Sequence, residues 1–363
     1  MGLVVDTLEL IDWRNFEERT YHFSPGMTVL WGPNAVGKTN TVEALQLLTA
    51  GASFRRPRPV QLVREGCETA RATVRLTGDG RVVDVDCLVE AGRRRFRRNG
   101  KPVKPADVPE SLMSVLFNPD DLAFVKRGAT QRREELDAFG RQANRGFAKV
   151  LAACQRAVEQ RNRLLKDDAP NLALLDAWDA SVAIGGSTLL LARLRLFSRL
   201  APKVCAVYER ICGGEQLSCS YVCSLGDDVD ETMGRDELTA RYLARLAAGR
   251  ADDLRRQQTL VGPHRDDLSF AIDGRDARTF GSQGQQRSIV LAWKMAEVEL
   301  AAEILGEQPL LLLDDVMSEL DERRRAAVIG FVQAGIQTVV TTTNLGYFPQ
   351  ELLDASKVVS FGG

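Results

Sequence analysis

Met27-Thr28-Val29-Leu30-Trp31-Gly32-Pro33-Asn34-Ala35-Val36-Gly37-Lys38-Thr39, or MTVLWGPNAVGKT, couples a short apolar run to a glycine-bounded turn that closes on lysine and threonine. The run predicts a strand. Asn40 to Thr49 follows with Val42, Leu45 and Leu48 at helical spacing. The turn is thus expected between a strand and a helix, the context in which GxxxxGK[ST] carries mechanical meaning. Within Gly32, Pro33, Asn34, Ala35, Val36 and Gly37 the glycines leave room for backbone N–H groups to wrap phosphate oxygens. Lys38 then supplies a point charge to the β and γ oxygens, and the Thr39 hydroxyl a ligand for Mg2+. A nucleoside triphosphate with Mg2+ is the expected ligand.

The rest of the chain suits such a protein. Its 363 residues are 44% hydrophobic and 27% charged with a net charge of −1, as in ordinary soluble globular proteins and unlike a protein basic throughout. No apolar run approaches the roughly 20 residues that cross a bilayer. Asp6, Glu9 and Asp12 interrupt the N-terminus, which does not read as a secretory signal. A cytoplasmic location without a membrane partner is expected. The seven cysteines include no CxxC pair, and the dense stretch Cys205, Cys212, Cys219, Cys223 reads as a metal site only if distant His22 or His264 joins it. Reduced, mostly buried thiols are the plainer reading. Arginine far outnumbers lysine, so an anion-binding face would be built from guanidinium groups.

Strand-like alternation fills the first 30 residues and returns over residues 70–104, with a hairpin signal at Asn99-Gly100. Phe117-Asn118-Pro119 ends a strand. From about Asp120 to Leu260, Ala, Leu, Arg and Glu dominate at helical spacing, interrupted by a strand-like piece between Cys212 and Asp230. The α/β pattern then resumes, with a helix near 321–333 and a strand at Thr338-Val339-Val340. The expected division is a nucleotide lobe made of 1–118 and 262–363, and a helical lobe of 119–261 inserted into it.

Leu310-Leu311-Leu312-Leu313-Asp314-Asp315 reads as a buried parallel strand that delivers two carboxylates to the carboxyl edge of its sheet. Asp314 is expected to hold Mg2+, directly or through water, as the partner of Thr39. Asp315 is placed to polarise the attacking water. A second phosphate-seeking element is Gly281-Ser282-Gln283-Gly284-Gln285-Gln286-Arg287-Ser288, polar residues and two glycines ahead of the helical run Ile289 to Leu305. A helix N-terminus presents N–H groups and favours an anion. Since the chain already holds a stronger phosphate site, this one is expected to complete the nucleotide site of a second copy, as single P-loop enzymes often require.

Ser282-Gln283-Gly284-Gln285-Gln286 resembles the LSGGQ-like signature of ATP-binding-cassette ATPases, which meets the opposite subunit's nucleotide. The insertion between Lys38 and Asp314 lacks the sustained heptads of SMC and Rad50 coiled coils and is too long for a compact transporter domain. Several blocks in order resemble the RecF family instead: Leu8-Glu9-Leu10-Ile11-Asp12-Trp13-Arg14-Asn15-Phe16, Phe117-Asn118-Pro119-Asp120-Asp121-Leu122, Gly262-Pro263-His264-Arg265-Asp266-Asp267-Leu268 and Leu313-Asp314-Asp315-Val316-Met317-Ser318-Glu319-Leu320-Asp321.

This resemblance implies an ABC-type P-loop ATPase head of mixed sheets and helices, with an inserted α-helical lobe that lacks a long coiled coil. It implies an ATP-dependent homodimer that binds DNA at gaps and single-strand/double-strand junctions. With RecO and RecR it would help load RecA in recombinational repair and replication restart. By the same carry-over Asn118 stands at the Q-loop position, Ser318, Glu319 and Asp321 belong to the D-loop, and Thr343 occupies the place of the switch histidine. Threonine cannot hold charge as imidazole does, and Asp315 is one methylene shorter than the usual glutamate. Weak, Mg2+-dependent and DNA-stimulated hydrolysis is expected, and a turnover far above the usual enzyme median of about 10 per second would contradict it. Arg14 and Asn15 either touch the adenosine or only shape the first hairpin.

For DNA phosphates the candidates are Arg55 and Arg56, after the P-loop helix, and Arg97 and Arg98, in the run Arg93 to Lys101. Planar guanidinium donors suit phosphate oxygens, although a solvated hairpin explains the same run. His264 reads as structural or interfacial. Two rival functions stand beside the DNA mediator: a transporter ATPase subunit, and an ATP-gated scaffold that recruits RecR with hydrolysis incidental.

Overall fold

A computed structural model describes residues 2–361. Along the chain, β1 (Val4–Trp13) and β2 (Phe16–His22) form a hairpin, and β3 (Met27–Trp31) leads into α1 (Lys38–Ala50). Then come β4 (Thr69–Gly78), β5 (Arg81–Glu90), β6 (Arg93–Arg98), β7 (Lys101–Val103) and β8 (Ser114–Phe117). The central part holds α2 (Ala129–Ala143), α3 (Phe147–Leu164), α4 (Leu172–Cys212), β9 (Leu217–Val222), α5 (Arg235–Arg256), β10 (Asp267–Ile272) and β11 (Arg275–Asp276). Last are α6 (Gln283–Leu305), β12 (Leu310–Asp314), α7 (Glu322–Gln333), β13 (Thr338–Thr342), α8 (Gln350–Asp354) and β14 (Lys357–Ser360).

Contacts divide the chain into two compact units, one running to Ala123 and resuming at Arg287, the other Phe124–Gln286. The return therefore falls inside α6 and not at residue 262. Residues 262–286 pack with the helical unit because β10 pairs along its length with β9, from Asp267↔Val222 to Ile272↔Leu217.

The first unit contains two sheets. One is a five-stranded sheet in the order β14-β3-β13-β12-β8, parallel at every pairing. Parallel strands covered on both faces need no polar side, and every residue of β12 and β13 is buried. The other is a six-stranded antiparallel sheet in the order β2-β1-β4-β5-β6-β7. Here the alternation is plain: Ala70, Ala72, Val74 and Leu76 of β4 point inward, with Arg71, Thr73 and Arg75 between them. Leu8, Trp13, Val42, Leu45, Val74 and Val339 belong to one core that joins both sheets to α1. At the β6–β7 turn Asn99 and Gly100 take φ of 48° and 73°, as a two-residue hairpin demands.

The second unit packs α3 and α5 against α4 around Val182, Leu190, Leu238, Tyr242 and Leu246. Its interior also holds charge. Arg161 reaches Asp179 at 2.5 Å and Asp253 at 2.7 Å, and Arg193 grips both oxygens of Asp137 at 2.8 Å. The 41-residue α4 is long and apolar enough to cross a membrane by length and composition alone. Asp179 and Arg193 sit on it in buried ion pairs with other helices, and its leucines fill the core, so here it is the central helix of a packed unit.

Candidate nucleotide site

The apolar β3 ends at Trp31, and the chain then turns through Gly32 to Gly37 onto the first turn of α1. Gly37 caps the helix at φ 109°, and a Cβ there would lie 2.5 Å from the Phe16 ring. The position accepts only glycine. Ala35 holds φ 66°. The Gly32 N–H donates to the Thr342 carbonyl at 3.3 Å, pinning the loop to β13. Lys38 is buried, and its ammonium donates to the Gly32 and Pro33 carbonyls at 2.6 Å each. Burial lowers its pKa, and the nearby Asp315 and Asp314 work against that shift. An ammonium held by neutral carbonyls inside a protein favours any anion that enters.

Register places the acids opposite this loop. In the parallel sheet Asp314 lies beside Thr341, and Thr341 beside Leu30 of the P-loop strand. One oxygen of Asp314 accepts from the Thr39 hydroxyl at 3.0 Å and from the Thr341 hydroxyl at 2.8 Å. Burial raises its pKa despite those two donors. A buried carboxylate and a hydroxyl in contact are the hard oxygen donors that Mg2+ takes, and a cation would offset the cost of burying the acid. Asp315 follows in the left-handed region at φ 53°, where aspartate is tolerated better than most residues. Its N–H donates to the Thr341 hydroxyl at 2.9 Å, and its carbonyl accepts from Ser318 at 2.9 Å. Burial raises its pKa as well, and Lys38 lowers it.

Two more sequence candidates reach the same carboxyl edge. Thr343 is exposed just past β13, and its carbonyl accepts the Trp31 indole N–H at 3.3 Å. Asn118 is buried just past β8, its side-chain oxygen accepting from the backbone N–H of Asp120 and Asp121 at 2.8 and 3.3 Å. It shapes the turn after the strand. Arg14 forks onto the buried Glu43 at 2.9 and 2.8 Å, and Asn15 bonds Asn40 and the Val36 carbonyl at 2.7 and 3.3 Å. Both brace the hairpin against α1.

The signature segment begins its helix at Gln283, earlier than Ile289, with Gly284 in the first turn. Ser282 and Gln285 cap it reciprocally: the Gln285 N–H donates to the Ser282 hydroxyl at 3.1 Å, and the Ser282 N–H to the Gln285 amide oxygen at 2.8 Å. Ser282 and Gln283 are exposed, Gly284 and Gln285 half-buried. The Gln285 amide also donates to Glu215 at 2.9 Å. Among the D-loop residues, Ser318 and Glu319 are exposed, Arg287 pairs with Glu319 at 3.3 Å, and Asp321 caps α7 by accepting the Arg324 N–H at 3.0 Å.

Sequence reasoning missed how Gly262 to Leu268 is used. A Cβ on Gly262 (φ 124°) would strike the Tyr242 hydroxyl, Arg193 donates to the Pro263 carbonyl at 2.6 Å, Asp266 accepts from Tyr221 at 2.9 Å, and Asp267 takes a fork from Arg132 at 2.7 Å. His264 bonds the Thr259 carbonyl at 2.9 Å, and burial depresses its pKa to about 4. The only hint in the sequence was the density of charge beside Gly-Pro.

The basic candidates differ among themselves. Arg98 is turned onto Glu110 at 3.1 Å and onto the Asp107 carbonyl. Arg55 donates to Asn40 at 2.8 Å and lies 3.8 Å from Glu43. Arg56 is exposed at φ 49°. Arg93 and Arg97 are exposed, and among the described residues no ion pair involves either. The cysteines are free thiols, and only Cys87, Cys154 and Cys223 are buried, fewer than the sequence suggested.

Comparison with known proteins adds a family. The model described as RecF/RecN/SMC N terminal domain matches residues 4–359. The chain is 41% identical over 351 residues to the DNA replication and repair protein RecF of Symbiobacterium thermophilum, covering 94% of this chain and 92% of that one. A solved structure of the recombination mediator protein RecF-ATP in the RecFOR pathway superposes with a TM-score of 0.87 at 28% identity, over 96% of this chain and 94% of that one. The Smc head domain of Pyrococcus furiosus, at TM-score 0.55 and 14% identity over 99% of this chain and 93% of that one, shares the fold. The architecture is that of an ABC-type ATPase head.

Proposed function

The chain belongs to the RecF family, and on that premise we propose that it is an ATP-gated, DNA-binding recombination mediator: two copies close on ATP at gapped or junction DNA, and slow hydrolysis releases them. The observation that carries this reading is the contact of Thr39 with Asp314, which joins the P-loop to the acidic strand in one cluster of oxygens. In the working site Lys38 leaves the Gly32 and Pro33 carbonyls for the β and γ oxygens, while backbone N–H groups of the loop bind the remaining phosphate oxygens. Thr39 and Asp314 would hold Mg2+, which when bound neutralises phosphate charge. Asp315 accepts a hydrogen bond from the attacking water and turns its lone pair toward phosphorus.

Ser282, Gln283, Gly284 and Gln285 of the second copy present the helix N-terminus to the γ-phosphate, with Ser318, Glu319 and Asp321 lining the seam. Thr343 offers a hydroxyl where a protonatable group would speed turnover, so the clamp is a timer more than a motor. RecR and RecO are the expected partners in RecA loading. The nearly full-length match to RecF proteins supports this reading over a transporter subunit.

Binding to a gapped duplex, with and without ATP and Mg2+, tests the proposal. Wild type should bind at least tenfold more tightly with ATP, and Lys38→Ala should lose that gain. ATP-independent binding by both proteins would refute it.

A further inference from the structure

Cys205, near the end of α4, and Cys219, on β9, lie 14 positions apart, yet their sulfur atoms approach to 3.8 Å. Both are half-buried, and both line a cavity of about 510 Å3 together with Phe197, Ser218 and Asp230. A small reagent in that cavity meets two sulfurs already in contact. We propose that Cys205 and Cys219 form a reversible oxidation site, a dithiol that peroxide converts to an intrachain disulfide across the turn between α4 and β9.

The other thiols supply the contrast. Cys87 and Cys154 are buried, with pKa values pushed up to about 12 and about 11 by desolvation, so at neutral pH they carry almost no thiolate. Cys205 is instead drawn below the ordinary thiol value by its hydrogen bond with Cys219. The thiolate is the form that attacks an oxidant. The Cys205 sulfur displaces hydroxide from hydrogen peroxide and becomes a sulfenic acid. The Cys219 sulfur, giving up its proton, then attacks that sulfur and expels the oxygen. Overall two thiols and one peroxide become one disulfide and two waters, and the sulfurs lose the two electrons that peroxide gains.

The geometry permits closure. A disulfide needs the sulfurs to move together by roughly 2 Å, and the turn that must give contains Gly213 and Gly214 at φ 55° and 84°. That turn also carries Glu215, which accepts from the Tyr208 hydroxyl at 2.6 Å and from the Gln285 amide at 2.9 Å. A cross-link at its base would fix the residue that braces the capped start of α6.

Mass spectrometry of the native full chain, treated with a modest excess of hydrogen peroxide and then alkylated in denaturant, tests the site. Two of the seven thiols should escape alkylation, a peptide map should join Cys205 to Cys219, and dithiothreitol should restore both. Cys205→Ser should keep its remaining thiols reactive, while Cys87→Ser should behave as wild type. Seven alkylated thiols, a sulfinic acid without a cross-link, or a bridge involving Cys212 or Cys223 would overturn the proposal. The wild-type map decides the matter even if a serine variant folds poorly.

Discussion

The Thr39 hydroxyl donates to a carboxylate oxygen of Asp314 across 3.0 Å, although 275 positions separate them in the chain. Asp314→Asn keeps an acceptor for both threonine hydroxyls and removes an acid whose pKa burial raises. Because the folded protein holds that proton more tightly than the unfolded chain does, ionised Asp314 costs stability at neutral pH, and the cost develops as pH rises above the ordinary value of 3.8. Without nucleotide, the variant should melt at or above the wild-type temperature at pH 7. It should lose the stabilisation that wild type gains from Mg2+ and ATP, about 2.7 kcal/mol at 100 times Kd. A thermal shift assay reads both; a lower melting point with the ATP gain intact would count against the assignment.

Arg193 forks onto Asp137 with both side chains buried. Arg193→Ala leaves that carboxylate without its cation and should cost roughly 3–5 kcal/mol in urea unfolding. Arg193→Met combined with Asp137→Leu should recover most of the loss, because the penalty comes from the stranded charge.

His264 gives the helical unit a dependence on acid. Its folded pKa is about 4, against the ordinary 6.5. The unfolded chain takes up the proton first, so this stability is fully present above pH 6.5 and lost as pH falls toward 4, by roughly 3 kcal/mol in all. Urea midpoints at pH 7 and pH 4.5 should differ less in His264→Gln than in wild type; equal differences would show that the imidazole is not the sensor.

If the hairpin meets DNA, its exposed guanidinium groups carry the contact. Arg93→Ala with Arg97→Ala should flatten the dependence of log affinity on log salt by about 2, near 0.9 per phosphate contact. Arg98→Ala should leave that slope alone and loosen the hairpin, since Arg98 is spent on Glu110 and Asp107. Fluorescence anisotropy across a salt series separates the two.

Much of this was legible in the sequence because local rules and chemistry agreed. MTVLW before GPNAVGKT reads as a strand running through a glycine-bounded turn into a helix, the leucine run at 310–313 as a buried parallel strand, and Asn99-Gly100 as a tight turn, and the structure has all three. The α6 boundary was misplaced because Gly284 reads as a breaker, whereas the Ser282–Gln285 cap starts the helix around it. The division near 262 was misjudged because β10 looks like any other strand, and only its pairing with β9 assigns it to the helical unit. That Arg98 and Arg55 face acids or amides within the chain could not be read from a run of arginines, whose partners come from distant residues.

Sedimentation velocity of wild type and Ser282→Arg, each with and without ATP and Mg2+, tests the shared-nucleotide site most directly. Wild type should shift from monomer to dimer only with ATP and Mg2+, while the variant should bind ATP with unchanged affinity and stay single. A wild-type protein that remains monomeric when saturated with ATP, or a variant that dimerises as well as wild type, would contradict it.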